Sequence, residues 1–234
     1  MPTTTVTAGK QAEGDSGSQT FWPNAKDASS ATISQEFTSA TDDTTSVQGL
    51  FSSGRGGGTY RLVRTFLFFD VSGVPGTITA MDLDLFIVGF SGTAVVQVAK
   101  STAFNTNGSS SWQAGDFDKW NQSSPTAYLA SSTTLSTGAR SLTLNSTAIS
   151  DANSDGYLNV VIVDSAHDFN DTQPLLGINR SSGIRFQNSS NPIQLDITYT
   201  PSGYGKDVMG VTSTDIVKVI GVPSADISKV IGVS

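Results

Sequence analysis

The chain has no cysteine. Disulfides, thiolate-bound zinc and thiol catalysis are therefore excluded. Histidine is almost as scarce, with His167 alone. Charge is thin as well: 14% of the residues are Asp, Glu, Lys or Arg, and they sum to −7 at pH 7. No basic patch is present to face a phosphate backbone, so nucleic acid is not an expected partner. Arg55-Gly-Gly-Gly58 carries one Arg and reads as a turn. No run of about 18 apolar residues exists, so no membrane-spanning helix is expected. Met1-Pro-Thr-Thr-Thr-Val shows no basic region leading into an apolar stretch. The expectation is a soluble chain made in the cytoplasm without a secretory signal.

What is present is the composition of a turn-rich β protein. The 234 residues include 23 Gly and 8 Pro, and 37% are hydrophobic. That is too apolar for a disordered chain and long enough for one ordinary core. Met81-Asp-Leu-Asp-Leu-Phe-Ile places Met81, Leu83 and Leu85 on one face and Asp82 and Asp84 on the other. Ile193-Gln-Leu-Asp-Ile-Thr-Tyr sets Ile193, Leu195, Ile197 and Tyr199 inward in the same way. Such alternation marks antiparallel strands with one wet face. Tyr157-Leu-Asn-Val-Val-Ile-Val-Asp164 is nearly continuous and predicts a central strand buried on both faces.

Further strands are expected at Ala31–Phe37, Ser46–Phe51, Tyr60–Asp70, Ile78–Phe90, Ala94–Thr102, Tyr128–Ala130, Ser141–Asn145, Leu175–Asn179, Ile184–Asn188 and Pro192–Thr200. Turn signals separate them at Val74-Pro-Gly76, Ser91-Gly92, Asn107-Gly108, Asp155-Gly156 and Ser182-Gly183. No amphipathic helix of ten or more residues is expected before residue 200. The fold class is all-β, a jelly-roll β-sandwich over residues 20–200. Residues 1–19 are polar and read as an N-terminal arm. Pro201-Ser-Gly-Tyr-Gly205 opens a linker, and residues 201–234 hold the linker and three repeats.

Those repeats have a period of eleven. Thr214-Asp-Ile-Val-Lys-Val-Ile-Gly-Val222 is followed by Ala225-Asp-Ile-Ser-Lys-Val-Ile-Gly-Val233, and Lys206-Asp-Val-Met-Gly-Val211 is a degenerate third copy. Ser213 and Ser224 suit helix N-caps, Asp215 and Asp226 the first turn, and Gly221 and Gly232 the C-terminal end. Ile216, Val219 and Ile220 share one helical face, as do Ile227, Val230 and Ile231. Short helices are the expected form. The rival is β, because Lys-Val-Ile-Gly-Val is rich in strand formers and suits a sheet edge. Neither form is stable at this length alone. The apolar positions Val208, Met209, Ile216, Val219, Ile220, Ile227, Val230 and Ile231 therefore need a surface, either the chain's own sandwich or a neighbouring subunit.

Candidates for chemistry are few. His167 lies in Asp164-Ser-Ala-His-Asp-Phe-Asn-Asp171 with no second His to complete a metal site, and reads as a surface loop residue. No Gly-x-Ser-x-Gly elbow is present. Asp151-Ala-Asn-Ser-Asp-Gly156 matches the first half of a calcium loop, with Asp151, Asn153 and Asp155 as donors. The closing acid is missing, since position 162 is Ile162. A turn entering the next strand explains the same residues, so calcium is an option and no other cofactor is expected. Trp112, Asp116, Asp118 and Trp120 suit a sugar platform, with Trp112, Asp116 and Trp120 its first candidates. Core packing is the alternative for both Trp residues.

Two regions of the sequence, the β-rich body and the tail, resemble known families. Arg64-Thr-Phe-Leu-Phe-Phe-Asp70-Val-Ser-Gly-Val-Pro75, Ile78-Thr-Ala-Met-Asp-Leu-Asp-Leu-Phe86, Phe117-Asp-Lys-Trp-Asn-Gln-Ser-Ser-Pro125 and Arg185-Phe-Gln-Asn-Ser-Ser-Asn-Pro192-Ile-Gln-Leu-Asp-Ile-Thr-Tyr199 resemble the DNRLRE-type domain. That resemblance implies a carbohydrate-binding-module-like jelly roll. The Ser-Glu pair of that family's final segment is absent here. The tail is similar to the S-I-S-K-V-x-G-V repeats of bacteriophage virion proteins.

Together they imply a non-enzymatic virion structural protein, an exterior capsid decoration (cement) or tail accessory protein assembled in host cytoplasm. Its termini would dock on other virion proteins, major capsid or tail, and the chain would form a homo-oligomer, with a trimer expected. The alternative is a carbohydrate-binding module that attaches to host-surface glycans.

Overall fold

The computed structural model describes residues 1–37, 44–52, 58–92, 95–174, 180–187, 191–202, 218–219 and 222–223. The alternating segments form antiparallel strands. In chain order these are β1 (Thr3–Thr7), β2 (Lys10–Asp15), β3 (Ile33–Phe37), β4 (Thr44–Ser52), β5 (Thr59–Asp70), β6 (Gly76–Ser91) and β7 (Val95–Lys100). They continue with β8 (Thr133–Thr134), β9 (Gly138–Thr143), β10 (Tyr157–Asp164), β11 (Arg180–Gln187) and β12 (Gln194–Pro201). Two helices interrupt them, α1 (Trp22–Lys26) and α2 (Ser146–Asp155).

The hydrogen-bonded ladder runs β1-β12-β6-β11-β4-β5-β10-β7-β8. β9 lies on the far edge of β6, β2 on β5, and β3 on β2. The ladder folds over, and a single core forms between its two halves. Met81, Leu83, Leu85, Ile87, Leu195 and Ile197 from one half meet Leu67, Phe69, Val96, Val98, Val160 and Ile162 from the other. Every core pair of this kind removes apolar surface from water, the main favourable contribution to folding.

β5 and β10 are buried on both faces, as the unbroken apolar run at Tyr157–Asp164 predicts. Even-numbered residues of β10 face the sandwich core, while Val161 and Val163 face a second cluster. On β5, Leu67 and Phe69 point one way and Tyr60, Leu62, Phe66 and Phe68 the other. The second cluster is closed by α1, by residues 103–120 and by Trp22, Trp112, Phe117 and Trp120. A third layer of loops and short turns therefore covers what would be the wet face of that sheet.

Several expectations change. Residues 1–19 are not an arm: β1 pairs with β12 from Thr3–Thr198 to Thr7–Gln194, and β2 pairs with β5 from Lys10–Phe68 to Asp15–Val63. Their polar side chains mislead because β1 is an edge strand, with only alternate positions partly covered. A ten-residue helix does occur before residue 200. α2 has Asn145 as its N-cap, accepting from the Thr147 and Ala148 amides, and Gly156 in the left-handed region at its end. It buries only Ala148 and Ala152, too little hydrophobicity for its period to stand out. Tyr128–Ala130 is not a strand, although the Tyr128 amide donates to Val98 O. The segment Leu175–Asn179 lies outside the described residues.

In the repeats, Lys218–Val219 (β13) pairs antiparallel with Val222–Pro223 (β14). At these residues extended backbone replaces the expected helix. β-branched Val at paired positions favours this outcome. The other repeat residues lie outside the described set.

Candidate functional site

The strongest polar constellation is internal. Arg64 lies on the face of β5 that points into the aromatic layer and is fully buried. Its Nε and Nη2 donate to the two carboxylate oxygens of Asp168, both at 2.8 Å. Nη1 donates to Phe117 O at 3.0 Å and Nη2 to Lys26 O at 2.8 Å. The guanidinium also lies 4.1 Å from the Phe117 ring centroid and 5.1 Å from that of Trp120. The Lys26 ammonium sits 5.4 Å from the same indole. One Arg thus ties β5, α1, the 114–118 turn and the π-helical turn Ser165–Phe169 together. A bidentate, fully bonded Arg is the form in which a buried charge is tolerated. This arrangement is a clasp and exposes no group to a reactant.

The sugar platform is not formed by its nominated residues. Trp112 is 7% exposed and Trp120 2% exposed. Trp112 packs on Phe66 and Phe104, and Trp120 on Phe169. Neither ring face is open to a ligand. Asp116 accepts from the Gln113 amide within its own turn. The buried indole Nε1 atoms of Trp112 and Trp120 have no hydrogen-bond partner.

The calcium-loop motif is the end of α2. Asn153 is spent on the backbone of Ile78, accepting from its amide and donating to its carbonyl. Asp151 accepts from Lys100 Nζ at 2.9 Å and from Tyr128 Oη at 2.6 Å. Three donors strung along a helix cannot wrap one ion as a loop does, and no group of three or more His, Cys, Asp or Glu suited to a metal is found among the described residues. Burial alone would raise the Asp151 carboxyl, but the bonds from Tyr128 and Lys100 outweigh it and hold the pKa below the usual carboxylate range. Burial, with the bond to Asp151, pushes the Tyr128 phenol well up. These groups line a cleft of about 180 Å³ with Lys119, Tyr157 and Asn159. The Asn159 Oδ1 has no hydrogen-bond partner. The cleft's chemistry is that of a small polar pocket.

His167 sits in the turn after β10, its Nδ1 donating to Thr172 O at 2.9 Å. Its backbone amide is capped by Asp164. It therefore closes a loop.

The outer face of β6 is different in kind. Asp82 and Asp84 are followed on the same face by Phe86, and a register shift then places Gly89 opposite exposed Arg185 and Phe90 opposite buried Ile184. Val88 is 41% exposed and Phe90 55%. Asp82 stands opposite Asp196 of β12, with Thr143 and Thr5 hydroxyls donating to the two carboxylates. Asp84, Phe86, Arg140 and Pro192 border a groove of about 420 Å³. Burial raises the Asp84 pKa; the Ser141 bond opposes this, and neighbouring Asp196 and Asp82 add to the rise.

Of the expected docking residues, Val219 lies in β13. Val208, Met209, Ile216, Ile220, Ile227, Val230 and Ile231 lie outside the described residues. The Arg64 clasp was detectable in principle: Tyr60, Leu62, Arg64, Phe66 and Phe68 form one alternating row with a single charge in it. The exposed Phe and Val of β6 carried no such signal, because their alternation is apolar on both faces. The chain matches no protein-family model and no curated protein.

Proposed function

We propose that the chain is a non-enzymatic structural component of a bacteriophage particle, an exterior capsid decoration or tail accessory protein. In this reading the β-sandwich is a jelly roll and forms the exposed body. The antiparallel ladder, in which β5 neighbours β10 and β6 neighbours β11 and β12, supports it. The carrying observation is the eleven-residue repeat placed after the last sandwich strand. β12 already completes the core through Leu195 and Ile197, so the repeats are additional to it. Their recurring Val and Ile need burial, and a neighbouring subunit of the particle supplies it. The N-terminal residues are sheet strands, so the docking role falls to the C-terminal segment alone.

The polar chemistry of the chain fits a scaffold. Arg64, Asp168, Asn153 and His167 all serve internal contacts. The carbohydrate-binding alternative loses the support of its platform, because Trp112 and Trp120 are core residues. Deleting residues 203–234 is expected to abolish incorporation into particles, measured by mass spectrometry of purified virions. Normal incorporation of the shortened chain refutes the proposal.

A further inference from the structure

We propose that the cleft at the start of β10 and the end of α2 binds a small dipolar molecule of the amino-acid kind. Its ammonium end lies toward Asn159 and Asp155, and its carboxylate end toward Lys119 and Trp120. The inference goes beyond the structural role proposed above and does not depend on it.

The carrying observation is a pair of buried polar atoms of opposite sense, one on each of two adjoining hollows. Asn159 and Asp155 line the first, of about 180 Å³. Trp120 lines the second, of about 290 Å³. Lys119 lines both, so the two adjoin there. Asn159 is 6% exposed and shares the strand row of Val161 and Val163, which faces the aromatic layer. An amide in such a row costs free energy unless it is bonded. Its Nδ2 donates to Asn105 O at 3.1 Å, which leaves Oδ1 as the acceptor, and that oxygen has no partner. Trp120 is 2% exposed, and its Nε1 is a donor with no partner. The edge of the indole, not its packed face, is the group in question.

Charge has the same polarity. Lys100, Asp151 and Tyr128 bond to one another. Asp155 and Lys119 enter none of the ion pairs among the described residues. Exposed charges alone are ordinary. These two stand beside orphaned atoms of matching sense: anionic Asp155 with the acceptor Asn159, cationic Lys119 with the donor Trp120. An ammonium brings several N–H donors for Asn159 Oδ1 and the Asp155 carboxylate. A carboxylate brings two oxygens, one for Lys119 Nζ and one for the indole N–H. A neutral polyol leaves both charges unanswered, and a simple anion or cation answers one end only. Hollows this small lie below the size of drug-like sites, so the ligand is small.

The rim is built to give. Phe104 and Asn105 have φ of 63° and 57°, and Asn105 lines the first hollow. A left-handed Phe is strained, and strain of this kind gathers at ligand clamps. Both orphaned atoms are covered, so a ligand reaches them by displacing such a rim.

The indole N–H of Trp120 is the reporter. The full-length chain is titrated with γ-aminobutyrate and with ε-aminocaproate and followed by heteronuclear NMR. A saturable downfield shift of the Trp120 indole resonance is expected with at least one of them. The resonance of Trp22, which already donates to Asp171, is expected to stay in place. Lys119→Met and Asp155→Asn, both at exposed positions, are each expected to weaken binding about tenfold, roughly 1.4 kcal/mol.

An equal shift with butyrate or butylammonium overturns the dipolar requirement. Tighter binding of O-phosphoethanolamine than of either amino acid overturns the carboxylate. The same shift with glucose overturns the ligand class in favour of a hydroxylated one. No shift at millimolar concentrations of any of these overturns the site and leaves the two atoms to water.

Discussion

At the scale of single residues, one ion pair is enclosed on both sides, unlike the other two among the described residues. Arg64 and Asp168 are almost completely enclosed, at 0% and 1% side-chain exposure. Removing one partner of such a pair strands the other. Arg64→Met is expected to cost about 3–5 kcal/mol, read by denaturant unfolding. A loss under about 1 kcal/mol contradicts the clasp. Replacing Asp168 by Leu as well is expected to recover only part of the loss, because Phe117 O and Lys26 O also lose their donor.

Asp84 behaves in the opposite sense. Burial raises its folded pKa above the unfolded value, Ser141 opposes this, and Asp196 and Asp82 add to it. The folded state therefore binds that proton more tightly. Its contribution is favourable below the ordinary carboxylate range and is lost as pH rises through the raised value. Asp84→Asn is expected to raise the unfolding midpoint near pH 7 and to leave it unchanged near pH 3, read by thermal melts across pH.

At the scale of elements, α2 depends on its ends. Its buried side is two alanines, so capping carries more of its stability than packing does. Asn145→Ala is expected to cost about 1 kcal/mol, measured by urea unfolding, because two amides lose their acceptor. This element also marks what the sequence conveys. Strands with one wet face, such as β6 up to Leu85 and β12, were legible from alternation, and β10 from its unbroken apolar run. α2 was not, because Ala and Ser give its helical period almost no contrast. β1 was not, because an edge strand of Thr resembles a loop in composition. The candidate site was legible in part. Arg64 stands out in its row once the strand is placed, whereas the closing of Trp112 and Trp120 into a third layer depends on long-range packing. Gly14 illustrates that packing: a Cβ there would meet Phe117 Cδ2 at 2.7 Å and Trp112 Cζ2 at 3.0 Å. The aromatic rings lie directly on the β2 backbone.

At the scale of the whole molecule, the first and last strands of the sandwich are hydrogen-bonded neighbours. Deleting residues 1–8 is expected to lower the thermal midpoint by roughly 5 °C or more, since β1 covers the β12 edge. An unchanged midpoint would restore the reading of these residues as a free arm. The pairing also has a mechanical consequence. Thr3 faces Thr198, and the Tyr199 amide donates to Pro2 O, so the chain enters and leaves the sandwich at the same end of one antiparallel pair. A pull applied between Met1 and Ser202 loads that ladder one hydrogen bond at a time, like a zipper, and β1 peels off at low force. A pull between Ser202 and the outer face of β6 acts along the sheet and loads many bonds together. The sandwich therefore resists tension along its strands far better than tension that opens its terminal pair.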